Sequence, residues 1–187
     1  MPDVPAKKNA TYEDLCRLPD NMVGEIINGD LVATPRPKAK HIRAASMLGS
    51  EIGGPFDAGK GGPGGWWILD EPELHLAGHV LVPDLAGWRR ERMVRLPDSH
   101  VFDVPPDWVC EVLSPHTARL DRVEKMPIYA ARSVNHLWLV NPELKSLDVY
   151  RLDERGGWLL VSSHGEDDRI RAEPFQEVEM ELGLLWV

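Results

Sequence analysis

Residues 105–142, PPDWVCEVLSPHTARLDRVEKMPIYAARSVNHLWLVNP, constrain the fold more than any other stretch. Trp108, Val109 and Cys110 open an apolar run that suits a buried strand; Glu111 interrupts it, and Val112 and Leu113 resume it. A carboxylate in such a strand needs a metal ion, a basic side chain or several donors, because burying an unpaired charge is costly. Ser114-Pro115 ends the strand. Thr117 is placed to cap a helical segment, and Asp121, Lys125 and Tyr129 recur every four residues, on one helical face. Pro127 cannot donate to the carbonyl of Val123, so a kink or two short helices are expected near Met126. Residues 137–140, LWLV, read as a second buried strand closed by Asn141-Pro142. The order is strand, helix, strand, with polar chemistry where the first strand meets the helix.

At 187 residues and 43% hydrophobic content, the chain suits one domain with a real core. No run approaches the roughly 18 apolar residues of a membrane span, and the N-terminus MPDVPAKKNA has no signal-peptide core, so a cytoplasmic chain without a membrane partner is expected. Cys16 and Cys110 lie far apart in apolar contexts, which argues against a disulfide framework or a cysteine zinc site. The formal net charge of −9 argues against binding nucleic acid through overall charge. Residues 143–187 hold 11 acidic and 5 basic side chains, net −6, so residues 1–142 carry only −3.

Thr11-Tyr12-Glu13-Asp14 resembles a capped helix start, with the helix running to Leu18. Residues 23–27 and 31–34 flank Asn28-Gly29-Asp30, a hairpin signal, and Glu25 alternates along the first strand, either as a solvated charge or in a functional role. From Lys38 a helix continues to Ile52, with Ile42, Ala45, Leu48 and Ile52 on its apolar side and Gly53-Gly54 as its stop. Its basic start, from Arg36 to Arg43, reads as a wet face or as a phosphate-contacting patch. Seven glycines and two prolines between 53 and 65 suggest an irregular, mobile connection that fits no phosphate-cradling fingerprint.

Residues 66–69 restart a strand, and residues 73–82 form a second hairpin-like unit. Asp84 follows, set among Leu81, Val82, Leu85 and Ala86 as another acid in an apolar strand. Two such acids raise the case for a divalent-cation site, since hard cations favour oxygen ligands. Arg89, Arg90, Arg92 and Arg95 form a second basic cluster before a loop over residues 96–106. Residues 147–150 and 157–161 read as a meander turned at 153–156, and the Glu177, Glu179, Glu181 alternation reads as a solvated strand face.

Glu25-x3-Gly29, His41, Pro83-Asp84, Glu111-Val-Leu-Ser-Pro, Thr117, Asp121-x3-Lys125-x3-Tyr129 and Trp138-Leu-Val occur in one chain. This combination resembles the Uma-type family of restriction endonuclease-like proteins, in the PD-(D/E)xK nuclease superfamily, over nearly the whole length. The resemblance implies an α/β fold with a restriction-endonuclease-like core, a mixed central sheet flanked by helices, and additional β-hairpins. One domain would span 1–187, with an N-terminal helix and hairpin at 11–34, a core at 38–142 and a C-terminal β meander at 143–187. Asp84 and Glu111 look like the two metal-binding acids and, with the Val112 carbonyl, would hold Mg2+ or Mn2+. The superfamily lysine two residues after the second acid is replaced by Leu113, and Lys125 matches the lysine that the Uma-type pattern takes from the following helix.

Glu25 would complete the catalytic set, Tyr129 would position Lys125, Asp121 would anchor a basic residue, and His41 would contact phosphate or move a proton. Arg36, Lys38, Lys40, Arg43, Arg89 and Arg90 would contact nucleic acid, with DNA as the expected substrate and a homodimer expected by analogy. The implied activity is metal-dependent phosphodiester hydrolysis. The other reading is a catalytically inactive nuclease-like fold that binds nucleic acid or assembles, its acids paired with arginines.

Overall fold

The computed structural model describes residues 7–187. The reading of the extreme N-terminus falls largely on residues 1–6, outside that range. Thr11 and Asp14 close a capping box on α1 (Tyr12–Cys16), each side chain accepting from the other's backbone N–H. Asn28 and Gly29 have φ of 53° and 82°, the geometry of a two-residue hairpin turn, and join β1 (Met22–Ile27) to β2 (Asp30–Pro35). α2 (Ala39–Ile52) precedes β3 (Trp66–Asp70), β4 (Glu73–Leu76), β5 (His79–Leu81), β6 (Leu85–Arg89), β7 (Val101–Phe102) and β8 (Trp108–Val112). Two short helices, α3 (Ala118–Leu120) and α4 (Met126–Ala131), lead into β9 (His136–Asn141). β10 (Ser146–Leu152), β11 (Trp158–Gly165), β12 (Arg169–Ile170) and β13 (Met180–Glu181) complete the chain.

The strands form a six-stranded sheet in the order β11-β10-β9-β8-β6-β3 and a five-stranded sheet in the order β2-β1-β5-β4-β7, with β12 and β13 paired separately. Both larger sheets are mixed: β8 runs parallel to β9, and β4 runs parallel to β7. The N-terminal hairpin does not stand apart from the 38–142 core, because β1 pairs with β5. The C-terminal meander extends the six-stranded sheet through β10.

Period-two alternation along β8 divides the core. Trp108, Cys110 and Val112 face α2 and the C-terminal residues, where Trp138, Phe175 and Met180 are buried with Ala44, Leu48 and Ile52. Phe175 sits at the centre of an aromatic cluster, 4.9 Å from Trp108, 5.0 Å from Trp66 and 4.8 Å from Phe56 between ring centroids. Val109 and Leu113 face the other way, onto α4 and the five-stranded sheet, with Ile128, Tyr129, Leu74 and Leu81. Glu111 shares the parity of Val109 and Leu113 and points into this second layer.

Several elements depart from expectation. Leu48 and Ile52 are buried on the inner face of α2 as expected, but Ala44 is buried there while Ile42 is half exposed, so the helix is rotated by roughly a sixth of a turn from the expected phase. Gly53-Gly54 does not stop the chain: it continues as a π-helical turn, Gly53–Asp57, that buries Pro55 and Phe56. The glycine-rich stretch is tied down, with the Gly64 N–H bonded to the Pro55 carbonyl at 2.9 Å. A Cβ at Gly62 would lie 2.4 Å from that of Pro55, so close packing demands glycine there. Glu177 lies in a turn, Glu179 in irregular chain and only Glu181 of that trio in a strand, so the acidic alternation is not a strand face. Cys16 is exposed, and both cysteines are free. Among the described residues, no helix is long and apolar enough to cross a membrane.

Candidate active site

The site forms where two strands stop pairing. The β6–β8 ladder ends at Leu85↔Cys110, so Glu111 and Val112 run on past the last residue of β6, and Asp84 occupies the bend before that strand. Asp84 Oδ2 accepts from the Val112 N–H at 2.7 Å, in place of a ladder partner. In an extended strand the N–H and C=O of one residue point to the same side, so the Val112 carbonyl also turns toward Asp84. His41, in the first turn of α2, meets Asp84 Oδ1 through Nε2 at 2.5 Å. Asp84 is therefore a bend residue at the mouth of the strand and not part of an apolar strand.

Glu111 is 2% exposed. Its Oε1 lies 2.8 Å from Lys125 Nζ and accepts from the Tyr129 hydroxyl at 2.6 Å. Lys125 Nζ also lies 3.0 Å from Glu25 Oε1 and 3.7 Å from Asp121 Oδ1. Glu25 arrives from β1 of the second sheet and is fixed by the Val82 N–H at 2.8 Å.

Lys125 reaches this position through local backbone chemistry. The Met126 N–H bonds to the Asp121 carbonyl, five residues back, making Asp121–Lys125 a π-helical turn. Pro127 lies in the first turn of α4, where its missing N–H is tolerated. The expected break at Met126 thus takes the form of a widened turn between two short helices. Thr117 begins α3 but does not cap it with its side chain; its Oγ1 accepts from the Ser114 N–H at 3.3 Å.

Three carboxylates, Glu25, Glu111 and Asp121, surround one ammonium, and Asp84 lies nearby. Burial pushes the Glu111 carboxyl well up, against the pull of Lys125 and aided by repulsion from Asp121, Asp84 and Glu25. Burial also raises Asp121, from 3.8 to about 6. Burial alone would lower Lys125, but Glu111 and Glu25 outweigh it and hold the ammonium charged. Burial and Glu111 raise the Tyr129 hydroxyl, which stays a donor.

A cavity of about 500 Å³ opens onto this group. Glu25, His41, Asp84, Glu111, Val112, Asp121 and Lys125 line it, together with Arg36, Lys38 and Lys40 and the acidic Glu71 and Glu143. Tyr129 sits behind Glu111, fully buried. Arg43, Arg89 and Arg90 are not brought to the cavity. Arg43 donates to the Leu184 carbonyl at 3.1 Å, Arg89 stacks over Trp66, and Arg90 pairs with Asp57 at 2.6 Å while lying over Trp67. Those three arginines serve packing and chain anchoring instead of extending the footprint of the cavity.

Sequence reasoning did not identify Asp107, which is 2% exposed, accepts from the Arg89 N–H and pairs with Arg92 at 2.6 Å. It also missed Leu113, Pro115 and Pro142 in the cavity lining. The Asp57–Arg90 pair is separated by 33 residues and is created by tertiary contact alone. These lining residues had a visible signal, because Pro142 follows β9 directly and Pro115 comes three residues after β8. Among the described residues, no three His, Cys, Asp or Glu side chains are grouped to hold a metal ion by themselves.

The fold is similar to that of a solved protein from Anabaena variabilis, described as a "putative nuclease belonging to DUF820". The two share 21% identity at a TM-score of 0.75, over 94% of this chain and 97% of that one. No curated protein matches the chain. The nuclease-like α/β architecture stands on that structural likeness, and residues 10–184 match a family described as "Putative restriction endonuclease": the chain belongs to the Uma2 family.

Proposed function

We propose that the chain is a divalent-metal-dependent endonuclease that hydrolyses phosphodiester bonds of DNA. The observation that carries the proposal is the surplus of carboxyl groups over ammonium at the cavity, with Glu25, Glu111 and Asp121 buried and Asp84 part-buried. Glu25, Asp84, Glu111 and Asp121 outnumber Lys125, and a cation beside them relieves a cost that one lysine leaves in place. The donor set fits Mg2+ or Mn2+: Asp84, Glu111 and the Val112 carbonyl offer hard oxygens. Mg2+ is commonly held by one or two carboxylates, with water and substrate phosphate filling the remaining positions. Such a site does not require three acidic side chains.

A bound Mg2+ or Mn2+ supplies Lewis acidity toward a phosphate oxygen and makes water a stronger nucleophile at neutral pH. The chain's own residues do the rest. Val112 and His41 fix both oxygens of Asp84, Tyr129 and Lys125 fix Oε1 of Glu111, and Val82 fixes Glu25. Lys125 is held charged in a water-poor setting, where its field acts on negative charge developing at a phosphate. Arg36, Lys38 and Lys40 present positive charge to the substrate backbone. A second copy of the chain is the proposed protein partner.

The test is plasmid cleavage in Mg2+ or Mn2+. Wild-type protein nicks or linearises the plasmid, and Asp84→Ala and Glu111→Ala each lose activity by at least about 100-fold. Cleavage that persists in both variants, or none by wild-type protein, overturns the reading.

A second reading rests on the same pairs: Glu111 already has Lys125 and Tyr129 as partners, as a nuclease-like fold kept for binding or assembly would need. In that case Mn2+ leaves the melting temperature unchanged. In the enzyme reading Mn2+ raises it, and Glu111→Ala abolishes the rise.

A further inference from the structure

The exposed basic side chains of the cavity lining are not equivalent. Arg36 pairs with Glu71 at 3.4 Å and Lys40 pairs with Glu143 at 2.9 Å, and both acids line the same cavity. Lys38 lies between them in sequence and, among the described residues, pairs with no carboxylate. The two acids are fixed through their own backbones: the Glu71 N–H bonds to the Asp84 carbonyl at 3.1 Å, and the Glu143 N–H bonds to Asn141 Oδ1 at 3.1 Å. All five residues are exposed, so each pair is screened by water and opens at small cost when a phosphate arrives.

The lining as a set holds six carboxyl groups, Glu25, Glu71, Asp84, Glu111, Asp121 and Glu143, against four basic side chains, Arg36, Lys38, Lys40 and Lys125. Lys125 is already enclosed by Glu25, Glu111 and Asp121. A phosphodiester backbone that enters therefore meets one uncompensated cation, Lys38, and two that it must take from an acid.

Resting on the nuclease reading above, we infer that Glu71 and Glu143 are specificity-determining residues of the cavity, which compete with substrate phosphate for Arg36 and Lys40 and leave Lys38 as the principal phosphate anchor. A phosphate that takes Lys40 frees Glu143, which gathers a cation from solution while the nucleic acid releases one. Each such exchange adds little net affinity and little salt dependence. Chance contact with polyanions is thereby disfavoured, in the same direction as the net charge of −9.

The test uses the full chain and an end-labelled DNA duplex of mixed sequence, with binding read by fluorescence anisotropy in Ca2+ at several salt concentrations and cleavage read separately in Mn2+. Lys38→Ala weakens binding by at least about fivefold, whereas Arg36→Ala and Lys40→Ala each weaken it by less than about twofold. Glu71→Gln combined with Glu143→Gln tightens binding by at least about fivefold and steepens the logarithmic salt dependence by about 1 to 2. In that background Arg36→Ala and Lys40→Ala each cost at least about threefold, because their charges are no longer offset. Glu154→Gln combined with Glu177→Gln makes the same change in net charge outside the cavity and stays within about twofold of wild type. Equal losses from the three single alanine variants, or no gain from Glu71→Gln with Glu143→Gln, overturn the inference, and cleavage by wild-type protein then leaves the nuclease reading standing. The expected order of affinities without cleavage supports the inference and overturns the nuclease reading. Failure of every one of these proteins to bind overturns the inference.

Discussion

Lys125 has less room to change than any other residue of the site, since Glu111 and Glu25 lie within 3.0 Å of its ammonium and Asp121 a little farther off. Asp121 reports how that charge is shared. Burial raises its carboxyl from 3.8 to about 6, although Lys125 and the Thr117 hydroxyl pull it down. Between those values the folded chain keeps a proton that the unfolded chain releases. The contribution of Asp121 to stability is therefore complete below pH 3.8 and is lost as the pH rises through about 6. A shift of that size corresponds to roughly 2–3 kcal/mol. Asp121→Asn, neutral at every pH, removes this decline: in urea unfolding near pH 4 and near pH 7, the loss of stability with rising pH shrinks relative to wild type by about that amount. The same pH dependence in wild type and Asp121→Asn would show that folding does not raise the Asp121 carboxyl.

At the scale of elements, the strand–helix–strand order of 105–142 was legible because its apolar runs and punctuating prolines are local signals. The capping box at Thr11 and the Asn28-Gly29 turn were legible for the same reason. The π-helical turns were not, since propensity and periodicity assume 3.6 residues per turn and both turns are stabilised by what surrounds them. Glu25, Asp84, Glu111 and Lys125 were picked out one by one by charge in apolar context and by resemblance, but their convergence required the pairing of β1 with β5 and the end of the β6–β8 ladder. The turn at Asp121–Lys125 has a testable dependence on Pro127. With a proline at 127, no N–H competes for the Val123 carbonyl, and the wide turn persists. Pro127→Ala restores that donor and allows an ordinary α turn, which rotates Lys125 relative to Glu111. Stability changes by less than about 1 kcal/mol, because the first turn of a helix tolerates either residue. Cleavage activity falls by at least about tenfold, because a small misplacement of a catalytic group is expensive. Full activity at unchanged stability would mean that packing, and not Pro127, holds the turn.

At the scale of the whole molecule, one edge of the six-stranded sheet remains open. β11 is the terminal strand of that sheet, and its eight residues, WLLVSSHG, include no Lys, Arg, Asp or Glu. Leu159, Leu160 and Val161 are 38–50% exposed there. Sheet edges that stay monomeric usually carry charge, proline or a covering element, and this edge relies on none of the charged devices. A second copy of the chain suits it better than an arbitrary partner. A two-fold axis sets the strand antiparallel to itself, so apolar side chains meet apolar side chains. Light scattering coupled to size exclusion is expected to give twice the 21.0 kDa chain mass. Leu160→Lys places like charges across the axis and returns the chain mass while leaving the far-ultraviolet circular dichroism unchanged, since the side chain is half exposed in the single copy. A wild-type mass of one chain at every concentration would remove the dimer. A dimer that survives Leu160→Lys would place the interface on another face.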